Sequence, residues 1–386
     1  MRSNPELSAH KKSGRLLTVV QLLPALEGGG VESCTVEINA ALVARGHRSV
    51  VVSAGGKLVE EIEAVGGESF QLDIGRKSPF ALLNAFKLRQ FLKQSGVDVL
   101  HARSRMPAWI GLLACRMMPA RQRPRIVTTV HGLNSVNRYS KVMTYGERIV
   151  AVSECCREFI LKNYPDTDAS KIVVIPHGID PSKFSYGFQP SAEWRNSWNQ
   201  QYPSLTGRFV VLLPGRLTRL KGHFDFLGVI DLLKQEGIPV AGLIVGGEDP
   251  RRRKYSRLLR EEIGRKNLNQ DILFTGQRKD LREIMCVSSA VVSTSTKPES
   301  FGRTVLESLS LGRPTFGYEH GGVGEILAQV YPMGRVPVGD ITAMADKLAQ
   351  VYQNALQAPI PVEGYDLRSA LEKEIELYES LAGDRL

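Results

Sequence analysis

Short aliphatic, β-branched runs alternate along this chain with stretches of helical periodicity, and the alternation stops once and restarts. In the first half the runs are RLLTVVQL (15–22), RSVVVS (48–53), VDVLHA (97–102), RIVTTV (125–130), RIVAVS (148–153) and KIVVIP (171–176). Amphipathic helical spacing fills residues 32–45 and 79–94 between them. Strands apolar along nearly their whole length must be covered on both faces, which is the condition of a parallel sheet flanked by helices. A polar stretch with two tryptophans, SAEWRNSWNQQYPSLTGR (191–208), then interrupts. The pattern resumes with FVVLLP (209–214), VAGLIVG (240–246), DILFTG (271–276), AVVSTS (290–295) and RPTFGY (313–318). The expected fold is therefore α/β, with two Rossmann-like, doubly wound domains in tandem. A length of 386 residues suits two cores better than one. The expected division is a polar tail (1–14), a first domain (15–185), a hinge (186–207), a second domain (208–362) and a terminal helical segment (363–386). That last segment has no strand to follow and is free to pack back on the first domain.

Composition excludes several classes. The five cysteines are odd in number, include the adjacent Cys155 and Cys156, and show neither C-x-x-C nor Cys/His spacing. A disulfide framework and a zinc site are both disfavoured, and a reducing cytoplasm fits. The opening MRSNPELSAHKKSGR lacks the apolar centre of a signal peptide, and MPAWIGLLAC (106–115) is too short to span a bilayer. The formal charge of +10 is uneven: residues 1–180 hold 24 Lys+Arg against 16 Asp+Glu. That half is expected to meet something anionic, such as the cytoplasmic face of a membrane or a phosphorylated acceptor. Nucleic acid is not expected, because no recognition motif or aromatic stacking platform accompanies the basic residues.

Ligands of open parallel sheets gather at the carboxyl ends of strands, and the unusual motifs all fall there. After the first strand, Gly28, Gly29 and Gly30 open a helix at Val31 or Glu32. The pattern is not G-x-G-x-x-G and no acidic residue ends the second strand, so a dinucleotide site is not expected. The loop serves either as a tight turn or as backbone able to approach a phosphate or sugar. His131 and Gly132 follow RIVTTV, where a histidine either faces the crevice or is held by a structural hydrogen bond. Arg216, Arg219 and Lys221 follow FVVLLP and suit a diphosphate, with solvated loop charge as the plainer reading. LIVGGED (243–249) and TGQRKD (275–280), which contains Arg278, could wall a base pocket. In KPESFGRTVLESLSLGRP (297–314) a helix should begin near Phe301 or Gly302, placing Glu299 before its N-terminus and Glu307 about two turns above. The two carboxylates are either a cap and a surface charge, or the flanks of an anion-binding helix end.

The motifs ESFGRTVLES (299–308), PGRLTRLKGH (214–223), EGGGVE (27–32), VTTVHG (127–132), PHGIDPSKF (176–184) and HGGVGEIL (320–327) together resemble the retaining glycosyltransferases of family 4. The resemblance spans roughly residues 15 to 360. It implies a GT-B fold, with two Rossmann-like domains facing across a cleft. It also implies that Glu307 binds both ribose hydroxyls of a nucleotide-sugar and that Glu299 lies near the transferred sugar. Backbone N–H groups from Phe301 through Gly302 and Arg303 to Thr304 would meet sugar and phosphate. Arg216 and Lys221 match a diphosphate clamp, Gly29 and Gly30 a facing loop, Arg278 a further donor contact, and His131 a histidine near sugar and acceptor. His131, Arg216, Lys221 and Glu299 are the implied catalytic groups. Arg303 departs from a frequent aliphatic residue and His177 from a frequent asparagine.

The implied reaction moves a hexose from a nucleotide-sugar, UDP-glucose first, to a glycolipid or lipopolysaccharide-core acceptor. The donor is a co-substrate, so no cofactor is implied. No metal is implied either, because the cationic clamp takes the place of an Asp-x-Asp site; the one D-x-D, in PDTDASK (165–171), is read as an Asx turn. Two alternatives stay open: a nucleotide-sugar epimerase on the same fold, and a non-catalytic basic module that binds membrane or nucleic acid.

Overall fold

A computed structural model describes residues 15–76, 79–248 and 253–383. The expected polar tail and the last residue of LIVGGED lie outside the described residues. The chain divides into two compact units. Of the described residues, the first takes those within 15–151, 163–175 and 371–383, and the second those within 152–162 and 176–370.

The first unit is a seven-stranded parallel sheet in the order β3-β2-β1-β4-β5-β6-β7. Its strands are β1 (Thr18–Leu22), β2 (Arg48–Ser53), β3 (Glu68–Gln71), β4 (Val99–Ala102), β5 (Arg125–Val130), β6 (Arg148–Ala151) and β7 (Ile172–Val174). Helices α1 (Gly30–Ala44), α2 (Val59–Ala64), α3 (Asn84–Ser95) and α4 (Arg105–Arg116) cover it. β1 and β4 are fully buried except at Thr18, as the unbroken apolar runs require. The stretch 106–115 lies within α4, whose Ile110, Ala114 and Cys115 are core residues. The terminal helix α13 (Leu367–Gly383) lends residues 371 onward to this unit and buries Ile375, Tyr378 and Leu381.

The second unit is a six-stranded parallel sheet in the order β10-β9-β8-β11-β12-β13. Its strands are β8 (Phe209–Pro214), β9 (Val240–Val245), β10 (Ile272–Gly276), β11 (Ala290–Ser293), β12 (Thr315–Tyr318) and β13 (Arg335–Val336). Its helices are α5 (Glu154–Asn163, through Lys162), α6 (Ala192–Gln201), α7 (His223–Gln235), α8 (Arg253–Arg265), α9 (Leu281–Val287), α10 (Arg303–Ser310), α11 (Gly321–Val330) and α12 (Ile341–Tyr352).

Residues 176–185, expected in the first domain, lie in the second unit, and two further divisions differ from the sequence reading. The stretch expected as a hinge is α6, an integral part of the second unit. Its Trp198 is buried with Leu205, Val210, Leu243, Ile284 and Met285, and Trp194 stacks on Trp198 with centroids 5.2 Å apart. One buried and one half-buried indole outweigh the polarity of the segment's other face. The second difference is α5, which follows β6 in sequence but packs with the second unit.

Candidate active site

Each sheet reverses its strand order at one place, and there the crevice outside the strand ends is open to a ligand. In the second unit that place lies between β8 and β11. The loop after β8 leads through Gly215 and Arg216 into a 3-10 turn, Arg219–Lys221, and then α7. Gly222 adopts φ +64°, and a Cβ there would lie 1.7 Å from the Thr294 carbonyl oxygen, so the turn sits directly against the end of β11. Thr294 Oγ1 donates to the carbonyls of Lys221 and Gly222, each at 3.0 Å. A Cβ on Gly215 would meet Lys221 Cε at 2.9 Å, so the lysine stem lies along the glycine backbone. Arg216 is exposed.

The loop after β11 brings Glu299 to this turn. Lys221 Nζ lies 2.8 Å from Glu299 Oε1, with both side chains about one-fifth exposed (21% and 19%). Ser295 Oγ also donates to Glu299 Oε1, and His320 Nε2 pairs with the Ser295 carbonyl at 2.8 Å. α10 then begins at Arg303, a residue or two later than expected, because Gly302 turns the chain at φ +114° as the N-cap. A glycine cap offers the first-turn N–H groups no side-chain acceptor, which leaves that helix end suited to an anion. Phe301 is a core side chain, with its ring edge-on to His177 at 5.1 Å, so only its backbone is available to a ligand. Thr304 is half-buried in the first turn. Glu307 accepts from Arg303 Nε at 3.0 Å, one turn apart on α10.

The structure thus joins Lys221 to Glu299 and Arg303 to Glu307. Arg278 is held elsewhere: both Asp280 oxygens accept from its guanidinium at 2.9 and 2.7 Å, and it lies over the Trp198 ring. Thr294 and Ser295 were not singled out from the sequence, although both sit at the end of the AVVSTS run that becomes β11.

In the first unit the switch lies between β1 and β4. Gly29 caps α1, which starts at Gly30, one residue earlier than read, and both glycines are exposed. His131 is half-buried immediately after β5. The same unit holds a buried polar network that no local sequence signal marks. Arg103 Nε donates to Gln21 Oε1 at 2.8 Å, and its Nη2 donates to Glu374 Oε1 of α13 at 2.5 Å. His101 pairs through Nδ1 with Tyr378 and through Nε2 with Thr129, both at 2.6 Å. Burial, reinforced by the Arg103 charge, lowers the His101 pKa to about 4. Elsewhere Asp168 accepts from the Ser170 N–H at 2.9 Å, forming an Asx-type turn. Among the described residues no three His, Cys, Asp or Glu side chains converge as a metal cluster.

Two Rossmann-like units, each built on a parallel sheet, make up the GT-B architecture, with charged groups gathered at the switch point of the second. The Glycosyltransferase Family 4 model matches residues 28–183, and the Glycosyl transferases group 1 model matches residues 195–364. Between them the two models cover most of the chain, which is a glycosyltransferase of the family 4 type. It is similar to the N-acetyl-alpha-D-glucosaminyl L-malate synthase of Bacillus anthracis, at 22% identity over 86% of each chain. It is also similar to the UDP-Gal:alpha-D-GlcNAc-diphosphoundecaprenol alpha-1,3-galactosyltransferase of Escherichia coli, at 22% identity over 77% of this chain and 78% of that protein. Among solved structures it is similar to Anabaena Alr3699/HepE in complex with UDP and glucose, with a TM-score of 0.78 and 20% identity over 94% of this chain and 100% of that one.

Proposed function

We propose that this glycosyltransferase is a retaining, metal-independent hexosyltransferase. It takes a hexose from a UDP-sugar, glucose first, and passes it to a glycolipid or lipopolysaccharide-core acceptor. The observation that carries the reading is the Lys221–Glu299 pair beside the α10 N-terminus. Breaking a glycosyl–phosphate bond builds negative charge on the leaving diphosphate and positive charge at the anomeric carbon. Lys221 and the helix end are held donors for the first charge, and the exposed Arg216 beside them is free to swing onto it. The Glu299 carboxylate faces the second, and its contacts with Lys221 and Ser295 suit electrostatic support and hydroxyl binding rather than nucleophilic attack. The acceptor hydroxyl attacks from the face the diphosphate leaves, and the departing phosphate takes its proton.

The donor reading is supported by the UDP and glucose bound in the Anabaena structure, and the acceptor reading by the lipid diphosphate named for the Escherichia coli relative. Contact with the cytoplasmic face of an anionic membrane belongs to the same proposal. Arg116, Arg121 and Arg123 are exposed at and beyond the end of α4, while Leu82, Leu83 and Phe86 are exposed around the start of α3. Arg89 of α3 donates to the Met117 carbonyl, which places the two groups on adjoining segments. A thermal-shift panel of UDP-, GDP- and ADP-sugars tests the donor, since a ligand at about a hundred times its Kd stabilises by about 2.7 kcal/mol. A rise with UDP-glucose alone supports the reading; a rise confined to GDP- or ADP-sugars overturns the base. Incubating donor without acceptor separates transfer from epimerisation, which would release sugar and nucleotide unaided.

A further inference from the structure

The loop that carries Glu299 is held from two sides. On one side α11 opens with Gly321 and Gly322. The Gly322 N–H donates to the Glu299 carbonyl at 2.8 Å, and a Cβ on Gly321 would lie 2.5 Å from that same oxygen. A Cβ on Gly322 would fall 2.2 Å from the Phe301 carbonyl oxygen, so the approach needs glycine. On the other side is Ser153, buried at 3% exposure. Its Oγ donates to the Ser300 carbonyl at 2.6 Å and accepts from the Cys156 N–H at 3.0 Å, so one hydroxyl both caps α5 and anchors the loop. Glu325 closes the circuit from the second turn of α11. It accepts from the Glu154 N–H at 3.1 Å and from the Cys155 N–H, placing a carboxylate at the positive end of α5. Loop, α11 and α5 are therefore tied in a ring, with hydrogen bonds to the carbonyls of Glu299 and Ser300 and close backbone packing on that of Phe301.

We propose that Ser153 and Glu325 are positioning residues for the donor loop. They fix the backbone of Glu299, Ser300 and Phe301, and through it the direction of the Glu299 carboxylate and the α10 N-terminus, without touching substrate. The catalytic half of this inference rests on the donor-site reading above; the loop-order half does not.

The full chain and its Ser153→Ala, Ser153→Thr, Glu325→Ala and Glu325→Gln variants decide it, with melting temperature recorded for each. Hydrogen exchange at the Gly322 amide reports whether the loop is anchored. Loss of one hydrogen bond of ordinary strength speeds that exchange about tenfold in Ser153→Ala and Glu325→Ala. With UDP-glucose as donor, kcat falls by a similar factor in both, while affinity for uridine, which lacks the diphosphate, stays within about twofold because Glu307 lies inside α10. Ser153→Thr, which keeps the hydroxyl, restores both readouts. Glu325→Gln keeps one acceptor oxygen and falls between, which decides the matter if an alanine variant does not fold. Unchanged Gly322 exchange in folded Ser153→Ala and Glu325→Ala overturns the proposal, as does failure of threonine to rescue. A wild type that ignores UDP-glucose but shows the exchange pattern would sink the donor reading and leave the loop anchor standing.

Discussion

Lys221 Nζ and Glu299 Oε1 are 2.8 Å apart, so the groups assigned to the phosphate and sugar sides of the donor form a single ion pair. Neither acts alone. Lys221→Ala should cost about 2.7–4 kcal/mol in barrier stabilisation, seen in kcat as well as in donor affinity, if the lysine behaves as an oxyanion donor. Because the partners touch, Lys221→Ala and Glu299→Gln together should cost less than the sum of the two, by about 0.5–3 kcal/mol. Steady-state kinetics on the two single variants and the double variant measure the coupling. Strict additivity would mean the pair is not a unit.

Glu307 offers its carboxylate from within α10, and Arg303 donates to it at 3.0 Å. Glu307→Gln should weaken nucleotide-sugar binding by about 1.5–3 kcal/mol while leaving the fold intact, because it replaces a charged acceptor with a neutral one. Arg303→Ala should change affinity less, since the carboxylate remains. Calorimetric titration with UDP-glucose checks both. Unchanged affinity in Glu307→Gln would remove it from the ribose site.

Arg103 and Glu374 form a buried pair between β4's end and α13. Removing one partner strands the other charge in the core, so Arg103→Met should destabilise the first unit by about 3–5 kcal/mol. Denaturant unfolding followed by hydrogen exchange should show weakened protection in β1, β4 and β5 and little change in the second-unit sheet. Equal loss in both units would contradict the assignment of α13 to the first.

Stability should also fall with pH through His101. Its pKa is depressed in the folded chain to about 4, against 6.5 for the unfolded group. The unfolded chain therefore binds the extra proton between those values. The contribution is complete above pH 6.5 and is lost as pH falls toward 4, to a total of roughly 3 kcal/mol. His101 faces Arg103, Glu374, Tyr378 and Thr129. Arg103 holds the Glu374 carboxyl below the usual range against the pull of burial, so that group begins to add its own loss only below the ordinary carboxylate pKa. First-unit unfolding midpoints at pH 7.5 and 5 should differ in the wild type and differ less in His101→Gln. Equal slopes would remove His101 from the account.

The parallel sheets were legible in the sequence because burial on both faces leaves an unbroken apolar run, as in RSVVVS and FVVLLP. β3 and β13 escaped notice: ESFQ is half-polar and RV only two residues long, since each lies at a sheet edge and needs less covering. α6 was mistaken for a linker because its burial rests on two tryptophans amid polar residues. Glu299, Glu307, Arg216 and Lys221 were legible from their places after strands and around a helix start. The Arg103–Glu374 contact was not, because 271 residues separate its partners and nothing local marks either as buried. Ser153 and Glu325 were invisible for the same reason, their roles being set by which backbone carbonyl or N–H the fold brings to them.

In the proposed mechanism cationic side chains and a helix N-terminus, with no divalent ion, stabilise the departing nucleoside diphosphate. Transfer of radiolabelled hexose from UDP-glucose into an extracted bacterial glycolipid fraction, run in excess EDTA, tests it most directly. The wild type should label the lipid equally with and without chelator, and Lys221→Ala should retain about a hundredth of that rate or less. Transfer that stops in EDTA and returns with magnesium, or a Lys221→Ala variant as fast as the wild type, would contradict it.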